Sequence, residues 1–177
     1  YLVCGNGDFT RKDVKNYRID SLETRVKKTG MKILKTRAVS FNNYKILGFS
    51  GYRGATDKNL RNLNQKTYRR IKKSNRKWDK RLKSLFSGRI SFEQAIFLCH
   101  DPPKNCRLDL IKNRKSPMYG KHLGDEYFLK YVRKYQPLLV ICGHMHENPG
   151  KCRIGRTTVI NPGAAYDGKA ALIELEG

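Results

Sequence analysis

An α/β fold is the class this sequence predicts, on three observations. Apolar runs of four to six residues recur along the chain, separated by polar or Gly-containing stretches. At that length, their content of Val, Ile, Leu and Phe suits buried strands better than helices. At least one segment between them has helical spacing, and helix-then-strand alternation marks strands laid side by side under helices.

The elements follow in order. Residues 1–4 (YLVC) form the first predicted strand and pass directly into Gly5-Asn6. Residues 44–49 (YKILGF) form the second. Residues 56–86 repeat Leu60, Leu63, Tyr68, Ile71, Trp78, Leu82 and Leu85 at roughly helical spacing, with Lys, Arg, Asn and Gln on the other faces. Thr56 or Asp57 is placed to cap its start and Gly88 to end it, so the segment reads as one long helix or a helical hairpin broken at Ser74-Asn75. Residues 95–99 (AIFLC) are the third strand and end on His100. Residues 125–135 carry Phe128, Leu129, Val132 and Tyr135 at intervals of three to four, a helix that Pro137 prevents from continuing. The strands 138–142 (LLVIC), 157–160 (TTVI) and 170–175 (AALIEL) complete the pattern.

A chain of 177 residues with 38% hydrophobic and 30% charged residues is enough for one sizeable domain, and it is too rich in apolar runs to be generally disordered. No apolar stretch approaches the roughly 18 residues of a membrane span, and no basic leader precedes the first run. A cytoplasmic protein with no membrane partner is expected. Five cysteines, Cys4, Cys99, Cys106, Cys142 and Cys152, form no C-x-x-C pair, and three of them end apolar runs, so they read as reduced thiols. Net charge is +23. Residues 53–89 contribute fourteen Lys or Arg against two Asp. The excess is therefore concentrated in what reads as a basic helical insertion. It suggests a nucleic-acid partner, against the alternative of a solvated helix face capping the domain.

The sharpest chemical signal lies where three runs end. YLVC leads into Gly5-Asn6, AIFLC into His100, and LLVIC into Gly143-His144-Met145-His146. The chain has four histidines, and three of them stand at these strand ends. In open α/β sheets the ligand crevice lies outside the carboxyl ends of the strands, so residues far apart in sequence can meet there. Imidazole with carboxamide or carboxylate oxygen suits Mn, Fe, Zn or Co.

These residues resemble the calcineurin-like metallophosphoesterase family. Gly5-Asn6-Gly7-Asp8 matches its G-N-H-[DE] motif, His100 with Pro102-Pro103 its lone-His loop, and Gly143-His144-Met145-His146 its G-H-x-H motif. Asn161-Pro162-Gly163 looks like its N-P-G-S ending. The resemblance implies a four-layer α-β-β-α sandwich and a phosphate-ester substrate. It also implies two divalent metal ions, Asn6, His100 and His144 binding one and His146 the other. A pair of such cations binds phosphate oxygens and activates water for in-line displacement. Asp8 would orient a ligand or cap the next turn.

Two departures qualify the match. The family's histidine at the third position of G-N-H-[DE], implied to assist the leaving group, is Gly7 here. His122, in the segment 120–125, is the candidate to supply a proton in its place, against the plainer role of a loop residue facing solvent or phosphate. Gly7 also keeps open a non-catalytic scaffold on the same fold, and the charge alone a nucleic-acid-binding module. The family's opening motifs, D-x-H and G-D-x-x-D, are absent. The expectation is therefore one domain over 1–177, truncated at its N-terminus and lacking βα units. By itself it would hold at most one metal and turn over little.

Overall fold

The computed structural model describes residues 1–5, 22–27, 29–51 and 64–175. Its centre is a six-stranded mixed sheet made of β1 (Thr36–Phe41), β2 (Tyr44–Phe49), β3 (Ala95–Cys99), β4 (Leu139–Ile141), β5 (Gly150–Ile154) and β6 (Thr157–Asn161), in the order β1-β2-β3-β4-β6-β5. β2, β3, β4 and β6 run parallel, and β1 and β5 are antiparallel edges. Among the described residues three α-helices accompany it: α1 (Leu22–Lys27), α2 (Gln65–Phe86) and α3 (Glu126–Tyr135).

The parallel strands are the β-branched and aromatic runs read from sequence, and their alternation decides which face is covered. Leu47, Phe49, Ala95, Phe97, Cys99, Val140 and Val159 point to one face, where α2 supplies Trp78, Leu82, Leu85 and Phe86 and α3 supplies Phe128, Tyr131 and Val132. On the other face Ile46, Leu98, Ile141 and Ile160 are half-buried. Leu34 sits there against Gly48, so close that a Cβ on the glycine would overlap it. This sheet and the helical layer over one face are what the described residues contribute to the layered architecture expected above.

α3 begins where Asp125 accepts backbone N–H bonds from Tyr127 and Phe128 at 2.7 and 2.9 Å, capping two otherwise unpaired donors. It ends at Gln136, whose φ of 50° turns the chain out of the helix before Pro137. α2 starts later than its periodicity suggested, at Gln65, with Asn64 accepting from the Thr67 N–H; Thr56 and Asp57 lie outside the described residues. It is one continuous helix of 22 residues. The expected break at Ser74-Asn75 does not occur, because Asn75 is buried and the apolar stripe continues through it to Trp78.

Two strand expectations fail, and two strands were not expected. Residues 170–175 are not a strand, and Leu172 is 90% exposed. The run 1–4 contributes only a single parallel bridge, Leu2 to Ile33. The edges β1 and β5 escaped notice because their sequences, TRAVSF and GKCRI, are too polar to form an apolar run. Charged side chains on such edges, here Arg37, Lys151 and Arg153, discourage pairing with another sheet. All five cysteines are free, as read from their spacing.

α2 is fastened to the sheet by more than its apolar stripe. Arg81 lies 4.5 Å above the Phe49 ring and 5.6 Å from the Trp78 ring. Its guanidinium donates to Thr36 Oγ1 and to the carbonyls of Lys35 and Ser50. Ser50 in turn accepts from the Cys4 N–H at 2.9 Å. One arginine thus joins the helix to β1, the end of β2 and the segment that leads into Gly5.

Candidate metal centre

β2, β3 and β4 are parallel, so the residues following them emerge along one edge of the sheet. β3 hands off to His100 and β4 to Gly143-His144, and the Gly143 N–H donates to the His100 carbonyl at 2.8 Å. The two imidazoles meet edge to face, with His100 Nε2 3.1 Å from His144 Nδ1. Asp101, 4% exposed, brings its Oδ1 to 3.8 Å from His144 Nδ1. The ligand atoms of His100, Asp101 and His144 all lie within 4.8 Å of one another.

This arrangement fits a divalent cation. Two nitrogens each about 2.1 Å from one ion, and about 90 to 110° apart, stand roughly 3.0 to 3.4 Å from each other, which is the separation seen here. Burial, and to a lesser extent nearby His146, push the His144 imidazole below its ordinary pKa, so it is held in the neutral form a metal requires. A buried carboxylate beside two imidazoles supplies the negative charge that compensates an ion.

The loop is shaped to present these groups. His144 has φ of 64°, a left-handed conformation that non-Gly residues seldom adopt and that clusters at functional sites. Asn161, 1% exposed, donates through Nδ2 to the carbonyls of Met145 at 2.8 Å and Asn148 at 3.0 Å, and accepts the Gly163 N–H. Asn161, which closes β6 and opens the Asn-Pro-Gly segment, is therefore the clamp that holds the His144–Asn148 loop.

His100 and His144 come together as the strand-end argument required. His146 does not join them: it is exposed, and its Nδ1 is 2.6 Å from the hydroxyl of Tyr166. His122 also stands outside the group, bonded through Nδ1 to Asp109. Asn6, Gly7 and Asp8 lie outside the described residues. Gly5, just before Asn6, abuts the His100 ring, and a Cβ there would fall inside the imidazole. Asp101 was missed in the sequence, although a His-Asp pair closing a buried strand was the available signal. The Asn161-Pro162-Gly163 motif marked Asn161 but not what it holds, and Tyr166 had no signal, since both contacts reach across the fold.

The Gly5 contact yields a direct expectation. Gly5→Ala must displace either the His100 ring or the 1–5 segment, so affinity for Mn or Zn should fall at least tenfold while the unfolding midpoint of the metal-free protein moves by only a few degrees. Metal titration calorimetry beside thermal unfolding checks this; unchanged affinity would show that the ring is free to relocate.

Residues 2–177 match the profile described as metallophosphoesterase, calcineurin superfamily. No curated protein matches the chain. Among solved structures, one crystal structure aligns over 94% of this chain with a TM-score of 0.58 at 18% identity, a likeness of fold alone. Another, TT1561 of Thermus thermophilus, aligns over 94% with a TM-score of 0.48 at 15% identity. The chain spans 58% and 64% of the lengths of those two proteins, less than two thirds of either.

Proposed function

Because this chain belongs to the calcineurin superfamily of metallophosphoesterases, we propose that it hydrolyses a phosphate mono- or diester at the edge where β3 and β4 end. The observation that carries the proposal is the convergence of His100, Asp101 and His144. Nothing in a purely structural role asks for two imidazoles and a buried carboxylate at one strand edge. The centre is proposed as dinuclear, with His100, Asp101, His144 and Asn6 serving one Mn, Fe, Zn or Co ion and His146 serving the other. Divalent cations held there supply Lewis acidity toward phosphate oxygens and toward attacking water. The chain's own work is positional. Asn161 fixes the loop that aims His144, the Gly143 N–H couples that loop to His100, and Gly5 leaves room for the ring.

The test uses the native gene product, with metal content and turnover of bis-p-nitrophenyl phosphate measured with and without a chelator. Metal-dependent turnover is expected. A protein that binds no divalent ion overturns the metal centre. One that binds metal but turns over no ester supports the second reading, a non-catalytic scaffold, which Gly7 favours. No helix among the described residues is long and apolar enough to cross a membrane. Five free thiols favour a reducing compartment, and a cytoplasmic site of action is part of the proposal. The hydrophobic core that the described residues share favours treating 1–177 as one domain.

Nucleic acid is the substrate class that the charge distribution favours. Trp78 packs on Phe49 at the end of β2 while Phe86 packs on Phe92 before β3 begins, so the preceding turns of α2, residues 65–77, continue beyond Trp78 on the side of the candidate centre. At 1.5 Å per residue that is about 20 Å of helix. It carries exposed Lys66, Arg69, Arg70, Lys72, Lys73, Arg76 and Lys77 and no acid. Removing the whole segment would also remove Trp78, Leu82, Leu85 and Phe86 from the core, so the informative change is Arg69, Arg70, Lys73 and Lys77 together to Gln. Affinity for a single-stranded oligonucleotide should then fall. Its log–log salt slope should shallow by about 3, at about 0.7 for each phosphate that is no longer neutralised. An unchanged slope would leave the helix face merely solvated.

A further inference from the structure

Asp109 has 0% exposure, and its carboxylate is fully engaged. Oδ2 accepts the N–H groups of Asn105 at 3.0 Å and Gly124 at 2.9 Å, and Oδ1 accepts the Cys106 N–H at 3.0 Å. Oδ1 also meets His122 Nδ1 at 2.6 Å. An ionised carboxylate only accepts, so Nδ1 carries the proton in this pair, and Nε2 remains the working nitrogen. The His122 side chain is 36% exposed. A buried acid therefore fixes the tautomer and aim of a half-exposed imidazole, the arrangement that prepares a histidine for proton transfer.

The pair is stitched to both loops of the candidate centre. His122 bridges Leu110 in antiparallel fashion, and the Leu110 carbonyl accepts from Asn148 Nδ2 at 2.7 Å, two residues beyond His146. On the other side, the Asp125 N–H donates to the Pro102 carbonyl at 2.9 Å, two residues beyond His100. Gly124 packs so closely on Pro102 and Asp109 that a Cβ would overlap both. The hairpin is thus anchored at the edge that carries His100 and His144. Position 7, where the family resemblance puts a histidine, has no side chain to donate a proton.

Building on the hydrolase reading above, we propose that His122, oriented by the positioning residue Asp109, is the proton donor of the reaction. As the oxygen of the attacking water forms its bond to phosphorus and gives up a proton to solvent, the bond from phosphorus to the leaving oxygen breaks. In the donor state both ring nitrogens carry a proton; His122 Nε2–H passes its proton to the leaving oxygen, which leaves the neutral imidazole with Nδ1–H on Asp109, and Nε2 takes a proton back from solvent.

The experiment compares wild type, His122→Gln and Asp109→Asn in the native gene product. Its substrates are bis-p-nitrophenyl phosphate, whose phenolate leaves unaided, and a dinucleotide, whose alkoxide needs the proton. For His122→Gln, kcat on the dinucleotide should fall about 10²- to 10⁴-fold, with KM and the aryl-ester rate within a few-fold of wild type. Asp109→Asn should give a smaller loss of the same selectivity. It should also remove the slowly exchanging His122 Nδ1–H signal from the proton–nitrogen NMR spectrum of the wild-type protein. Equal losses on both esters, or none on the dinucleotide, would overturn the assignment and leave the pair as a brace of the hairpin. Failure of the metal centre has its own signature, a wild-type protein that binds no divalent ion. A wild type that binds metal but cleaves neither ester overturns both the hydrolase reading and the donor.

Discussion

His100→Ala and His144→Ala are each expected to lower metal-dependent turnover by about 10³-fold or more. Metal-ion catalysis contributes several kcal/mol of transition-state stabilisation, and each 1.36 kcal/mol is tenfold in rate. His100 and His144 offer two of the three ligand atoms that converge, so loss of either leaves a site with one imidazole and one carboxylate. A second readout separates lost metal from lost fold. Wild type should gain thermal stability on addition of Mn or Zn, because a ligand bound only by the native state shifts unfolding by mass action. Both variants should lose that gain while keeping a metal-free midpoint close to the parent's. His146→Ala should reduce occupancy of this site far less, since His146 is not a member of the group. Retention of both rate and metal-dependent stabilisation in His144→Ala would exclude this centre.

The second large effect is on stability. Phe86→Ala should cost about 3 to 5 kcal/mol, the range for deleting a buried aromatic ring. Phe86 is 1% exposed, and its ring touches those of Phe92, Phe97, Tyr131 and Tyr135 at centroid distances of 5.1 to 6.0 Å. It stands where α2, α3 and β3 meet, and no smaller neighbour could move in without leaving its own contacts. At roughly 2 to 4 °C per kcal/mol for a domain of this size, the midpoint should drop by about 6 to 20 °C. Lys73→Ala, on the exposed face of the same helix, should change stability by less than about 0.5 kcal/mol. Urea unfolding of both variants checks the contrast, and equal midpoints would mean that α2 is not packed as described.

How much of this was legible in the sequence depends on what each residue's role rests on. β2, β3, β4 and β6 were readable because burial on both faces demands unbroken apolar runs, and α3 was readable because one buried stripe imposes its own period. His100 and His144 were readable because a ligand placed at the end of a buried strand interrupts the run in a visible way. β1 and β5 were not, since an edge strand needs little burial and so has no run to show. Residues 170–175 carry strand-like composition but find no neighbour to pair with among the described residues, and composition alone does not create a ladder. Asp109 and Asn148 are ordinary polar residues in sequence, and the motif that marks Asn161 does not say which loop it holds. Their importance comes from an imidazole and carbonyls brought to them across 13 to 40 positions of chain, which no local pattern encodes.

The concentration of charge on α2 has an energetic side. Six pairs of Lys or Arg stand four residues apart along it, from Lys66 with Arg70 to Lys77 with Arg81, and Asp79 is the only acid in the helix. Each like-charged pair at that spacing opposes helix formation by about 0.2 to 0.5 kcal/mol, or about 1 to 3 kcal/mol together at low salt. The same helix delivers Trp78, Leu82, Leu85 and Phe86 to the core, so this self-repulsion bears on the whole domain. Added salt, or a bound polyanion, relieves it. Stability should thus rise with ionic strength, and an anionic polymer lying along this helix would tighten the fold beneath it.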